Sequence, residues 1–172
     1  NKRQGKTQVR RKGNAEFNLQ IDAYLPSDYI SDERQKIEIY KRIREIENQK
    51  DYQYLQDELI DRFGEYPDQV AYLIEIGLVR AYLDAAFAEL VERKNDTIIV
   101  RFEKVSLKFF LTQDYFEAIS KTNLKARISD NQGKVEIIFD VRNKKDYEIL
   151  EELKIFGQTF MEIKKRKEKK ET

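Results

Sequence analysis

The sequence predicts an α+β fold: an N-terminal three-helix segment followed by β-α-β-β-α with a small antiparallel sheet. Three observations carry this. Apolar residues recur at helical spacing from about residue 31 to residue 92, the mark of amphipathic helices. A β-branched run, TIIVRF, then appears at 97–102, and such runs favour strands. Finally, KARIS and KVEIIFDV flank the turn-rich DNQG, which reads as a hairpin.

Each element follows from local chemistry. Residues 1–16 (NKRQGKTQVRRKGNAE) are polar and basic with two Gly, the composition of a flexible linker or tail. In FNLQIDAYLP, Phe17, Leu19, Ile21 and Ala23 alternate with their neighbours until Pro26, so 17–23 is expected to be extended. Ser31 is the expected N-cap of the first helix, with Asp32 and Glu33 suited to the positive end of its dipole. Ile39, Tyr40, Ile43 and Ile46 form its stripe. A second helix is expected from about Asp51 to Phe63, with Tyr52, Leu55, Leu59 and Phe63 on one face. Gly64 suits a left-handed helix end and Pro67 the first turn of the next helix. That third helix is expected over 67–92, with Val70, Leu73, Ile74, Leu78, Ala81, Leu83 and Phe87 inward. After the strand at 97–102, LTQDYFEAISKT reads as a helix capped by Thr112, followed by the hairpin. The closing helix buries Tyr147, Leu150, Leu153, Phe156 or Gly157, and Phe160. Glycine costs a helix interior about 1 kcal/mol relative to alanine, so Gly157 predicts close packing there.

Composition bounds the function. The 172 residues are 40% hydrophobic and include ten Phe and ten Tyr, enough for one folded domain with a real core. No apolar run reaches the length of a membrane span, no signal peptide is evident, and a cytoplasmic location is expected. The only Met is Met161 and residue 1 is Asn, which points to a piece of a larger protein. Cys and His are absent, which excludes disulfides, thiol nucleophiles, Cys/His metal sites and a Ser-His-Asp triad. Neither GxxxxGK[ST] nor GxGxxG occurs, so no phosphate cradle is visible and the chain itself is not expected to be an enzyme. The domain organisation expected is a basic tail at 1–16, one α+β domain at 17–163, and a basic C-terminal tail at 164–172.

The net charge of +1 conceals an asymmetry. Residues 1–13 carry six Lys/Arg and no acid, and 164–172 carry six Lys/Arg against two acids. Residues 51–92 hold ten Asp/Glu against Arg62 and Arg80. An acidic body disfavours a nucleic-acid groove and suits solubility or a basic protein partner. The basic tails leave nucleic-acid contact as the alternative function. The acid concentrates in DELIDRFGEYPDQV, residues 57–70. With about 100° per residue, Leu55, Leu59 and Phe63 point one way and Glu58 and Asp61 the other. Arg62 can pair with Glu58 at i,i+4. The acids Asp57, Glu58, Asp61, Glu65 and Asp68 lack a converging loop for a divalent ion. They read as a solvated face or a protein-binding face, with Tyr54 and Tyr66 as possible aromatic anchors.

The motifs LP-x-DYI-x-D, YKRI and ELIDRFG-x-x-PD together resemble the C-terminal (TRCF) domain of the bacterial transcription-repair coupling factors, the Mfd family. The likeness runs from near Leu19 to about Phe160 and is strongest over 24–79. It implies a noncatalytic regulatory domain with no cofactor of its own. ATP and Mg would belong to translocase motor lobes that precede it in the parent chain. It further implies an autoinhibitory contact with the N-terminal UvrA-binding module, and through the whole protein an indirect link to UvrA, RNA polymerase and DNA. The acidic residues of that contact would be Glu58 and Asp61, flanked by Arg62 and Glu65.

Overall fold

Capping chemistry sets the bounds of the first helices in the computed structural model, which describes residues 15–171. Helix α1 spans Glu33–Arg44, and its cap is Asp32 rather than the expected Ser31. The Asp32 carboxylate accepts from the Arg34 N–H at 2.9 Å, and a charged acceptor also suits the helix dipole. Helix α2 spans Gln49–Phe63. It starts two residues before the expected Asp51 because Asn48 caps it, accepting from the Asp51 N–H at 2.9 Å. Gly64 ends it at φ 87°, as its position promised. Helix α3 spans Asp68–Ala85, with Pro67 at the cap.

The third helix stops seven residues short of the expected 92. Phe87 turns the chain at φ 69°, and Ala88–Lys94 form strand β2. The helical period reads on through this stretch, but β2 is hydrogen-bonded on both sides, to β1 (Glu16–Asn18) and to β3 (Thr97–Phe102). Two ladders outweigh a weak local preference. The β1–β2 pairing is parallel, so the sheet is mixed rather than purely antiparallel. The expected extended run at 17–23 contributes only its first residues, because Gln20 adopts φ 58° and ends the pairing.

A 3₁₀ turn at Lys104–Lys108 leads to α4, Thr112–Ser120. Thr112 is the first helical residue, not the cap. The Asp114 carboxylate instead reaches back to the Leu111 N–H at 2.8 Å. The hairpin forms as expected, β4 (Lys125–Asn131) against β5 (Lys134–Asp140), and α5 runs Asp146–Glu171. Strand order is β1-β2-β3-β5-β4. The fold class is the α+β class that the sequence predicts, enlarged to a five-stranded sheet.

Two buried clusters form. In the larger, Ile98, Val100, Phe102, Ile137 and Phe139 of the sheet meet α3, α4 and α5. In the smaller, α1, α2 and α3 pack through Ile39, Leu55, Leu59, Ile74 and Leu78. On α5, Ile149, Leu150, Leu153, Phe156, Phe160 and Ile163 are buried. Tyr147, expected in this stripe, is 59% exposed, because Ile149 holds the inward position of the first turn. Among the described residues no helix is long and apolar enough to cross a membrane.

Glycine permits two close helix crossings. A Cβ on Gly77 would lie 2.9 Å from Ile43 Cγ2, and one on Gly157 would lie 2.7 Å from Tyr82 Cβ. The Gly157 neighbour is the root of a side chain on a buried helix and has no freedom to yield. Gly157→Ala is therefore expected to destabilise the domain by about 1–3 kcal/mol, despite the better helix propensity of alanine. The check is a lower urea midpoint at unchanged slope.

Candidate protein-interaction face on the second helix

The acidic helix is built against α1 before it faces anything else. Glu58 was expected on the outward face beside Asp61. Instead its Oε1 accepts from Arg42 Nη1 of α1 at 2.5 Å, and its Oε2 from Arg62 Nη1 at 2.7 Å. Arg62 Nη2 lies 3.6 Å from Glu38 Oε1, and the Arg62 guanidinium sits 4.9 Å from the Phe63 ring centroid. Charges thus alternate along the α1–α2 seam as Glu38, Arg62, Glu58, Arg42. Hydrogen bonds from Arg42 and then Arg62 hold the Glu58 carboxyl below its ordinary pKa, and Glu58 raises that of Arg62.

Asp61 and Glu65 are exposed, as is Asp57, which accepts from Gln53 Nε2 at 3.1 Å. Asp61 and Glu65 therefore remain available on the outer side of α2 and the turn after it. Next to the seam lies a groove of about 530 Å³ lined by Arg42, Glu45, Ile46, Asp51, Tyr54, Leu55 and Glu58. Ile46 and Leu55 are its buried apolar members, Tyr54 is 62% exposed, and three carboxylates face one arginine. Such a surface suits a cationic side chain whose aliphatic stem lies on apolar ground. Tyr54 was visible as a candidate in the sequence. Arg42, Glu45 and Ile46 were not, since only the antiparallel packing of α1 brings them to α2. Tyr66 is half-buried and accepts from Gln56 Nε2 at 2.7 Å, so it braces the turn rather than standing free.

The turn is held from outside. The Tyr29 hydroxyl lies 2.7 Å from the Gly64 carbonyl oxygen and 3.2 Å from that of Leu59. Its ring packs against Phe63 and Tyr66 at centroid distances of 5.8 and 6.5 Å. The DYI and ELIDRFG motifs are thus one physical unit. Among the described residues, no cluster of three or more His, Cys, Asp or Glu could hold a metal ion.

Two predictions follow from this geometry. Tyr29→Phe keeps the ring and loses the hydroxyl, at an expected cost of about 0.5–1.5 kcal/mol, with faster amide exchange confined to residues 60–67. Glu58 has a depressed folded-state pKa, so its ionic contribution is present above its unfolded value and is lost as pH falls through the folded one. Glu58→Gln should therefore flatten the acid limb of the stability–pH curve. An unchanged acid limb in denaturant titrations would show that the two arginines contribute nothing through this carboxylate.

The chain is similar to known proteins. The TRCF domain model matches residues 19–110. The transcription-repair-coupling factor of Bacillus subtilis (strain 168) is 38% identical over 96 residues, 56% of this chain and 8% of that protein. That of Staphylococcus epidermidis (strain RP62A) is 42% identical over 83 residues, 48% of this chain and 7% of that protein. The chain therefore spans less than a tenth of the length of these curated relatives. A crystal structure of the C-terminal domain of a transcription-repair coupling factor is 64% identical, superposes with a TM-score of 0.89, and covers 92% of this chain and 99% of its own. The motifs, the fold and these matches agree: the chain belongs to the TRCF domain family of the transcription-repair coupling factors.

Proposed function

We propose that this domain is the noncatalytic, autoinhibitory element of a cytoplasmic transcription-repair coupling factor. In this reading residues 17–163 are the regulatory unit. They mask the UvrA-binding module near the N-terminus of the parent protein and restrain its ATP-dependent DNA translocation until RNA polymerase is engaged. ATP and Mg act in the motor lobes, and the domain contributes a surface. One observation carries the reading: α2 is anchored by Leu55 and Leu59 and leaves Asp61 exposed on its outer side, with Glu65 exposed in the turn that follows. Glu58 is already neutralised by Arg42 and Arg62, so in this reading it fixes the packing of the helix while a basic partner is met by Asp61 and Glu65. Preorganisation lowers the cost of ordering side chains on contact.

A second reading, nucleic-acid contact through the basic ends, draws on the six Lys/Arg within 164–172. Arg166 and Lys167 already pair with Glu117 and Asp114, and Lys164 donates to the Ala85 carbonyl at 3.3 Å, which leaves fewer cations for phosphates.

The test uses the full-length factor. Asp61→Lys alone, and Glu58→Lys with Asp61→Lys, should release the masked module and raise UvrA affinity by at least about tenfold, ~1.4 kcal/mol. Unchanged UvrA binding in both variants would place the inhibitory contact elsewhere.

A further inference from the structure

The sheet meets its helices through one face. Val91, Ile98, Val100, Ile137 and Phe139 point into the buried cluster shared with α3, α4 and α5. The side chains that alternate with them point the other way, and Leu90, Ile99 and Ile138 of that outer face belong to neither buried cluster. The strand register joins the outer residues into one surface. Across its middle, Glu92, Ile99, Ile138 and Arg127 stand side by side on β2, β3, β5 and β4. Leu90, Arg101, Glu136 and Ser129 form the row on one side, and Lys94, Thr97, Asp140 and Lys125 the row on the other. Antiparallel sheets often leave one face to water, but here two isoleucines hold the centre of that face.

The charges of the face are sorted, not in excess. The acids are Glu16, Glu89, Glu92, Glu136 and Asp140, and the bases are Lys94, Arg101, Lys125, Arg127 and Lys134, so the sum is zero. Glu89, Arg101, Lys134 and Glu136 neutralise one another at 3.8, 3.0 and 2.9 Å. Asp140 sits across the ladder from Lys125. Arg127 closes no ion pair among the described residues, and Glu92 has only Lys94, at 4.0 Å. A neutral face selects neither a polyanion nor a strongly basic protein by net charge. With Glu16 and Glu92 toward one edge and Lys125 and Arg127 at the other, its pattern is complementary to itself.

We propose that two copies of this domain pair reversibly, outer sheet face to outer sheet face. A two-fold axis parallel to the strands, between β3 and β5, lays β4 of each copy over β2 of the other. Arg127 then meets Glu92 of the second copy and Ile138 meets its Ile99, and each contact occurs twice, as an isologous interface requires. An axis across the strands would set β4 on β4 and oppose like charges. A depression of about 290 Å³ lined by Lys125, Arg127, Ile138 and Asp140 receives the incoming Glu92; Arg142 at its lip pairs with Asp96 at 3.5 Å. Lys94 and Lys125 approach at the rim, where the offset of about 30° between packed sheets carries the strands apart. Four overlapping strands cover about 19 by 20 Å on each copy, which is at the small end for specific interfaces and suits a reversible pair. The face holds no residue of α2, so the two surfaces can be occupied independently.

The test is sedimentation equilibrium, with an amide NMR dilution series, on the 172-residue chain from about 20 μM to about 1 mM. A monomer–dimer equilibrium is expected, with concentration-dependent shifts confined to 89–101 and 125–140. Arg127→Glu alone and Glu92→Arg alone should each weaken pairing at least about tenfold and leave thermal unfolding unchanged. Mixing the two variants, or combining both substitutions in one chain, should restore pairing, because opposite charges then meet again. Asp61→Lys should have no effect. The proposal is overturned by a monomer at about 1 mM, by shifts that map elsewhere, by failure of the mixed variants to pair, or by loss of association on deleting residues 1–14, which would assign the contact to that segment.

Discussion

The close approach of α5 to α3 is the constraint on which the rest of the molecule depends. Helix α3 gives Val79 and Leu83 to the sheet-side cluster and Val70, Ile74, Leu78 and Tyr82 to the three-helix cluster. It is one rod with two cores, and Gly157 sets how near α5 comes to it. A polar brace completes the joint: the Tyr52 hydroxyl donates to Glu75 Oε2 at 2.6 Å, and Lys154 Nζ lies 3.6 Å from the same carboxylate. Burial and the neighbouring Glu75 raise the Tyr52 pKa, so the phenol stays a donor at neutral pH. This crossing, with α3 shared by both clusters, holds the three-helix side against the sheet side.

Much of this was legible in the residues. The stripes of α1 and α2, the Gly64 stop, the TIIVRF strand and the hairpin around DNQG all follow from local pattern. So did the tight packing at Gly157, since a mid-helix glycine otherwise costs stability. What was not legible depends on pairing at a distance. Ala88–Lys94 reads as a helix until two neighbouring strands are known to flank it. Glu58 reads as an outward carboxylate until α1 delivers Arg42 to it. The expected i,i+4 pair with Arg62 needed only helix geometry, whereas the Arg42 contact needed a tertiary arrangement that no periodicity encodes. The basic segment of residues 1–14 lies outside the described residues.

The resulting surface is polarised. Carboxylates and an exposed tyrosine gather on the three-helix side, while six Lys/Arg lie within residues 164–172 at the end of the chain. Both surfaces rest on well-packed helices, so each presents its groups without a large ordering cost. Some of these charges are met locally, Glu58 by Arg42 and Arg62, and Arg166 and Lys167 by Glu117 and Asp114.

Among the described residues the sheet ends in β1 on one side and β4 on the other. One edge is β1, only three residues long; the other is β4, carrying Lys125, Arg127 and Asp130. A short edge and a charged edge are poor templates for a further strand. Fibrillar stacking and strand exchange between copies are thereby discouraged even when the domain is crowded, and recognition is left to side-chain surfaces, whose contacts can form and release without rewiring the backbone.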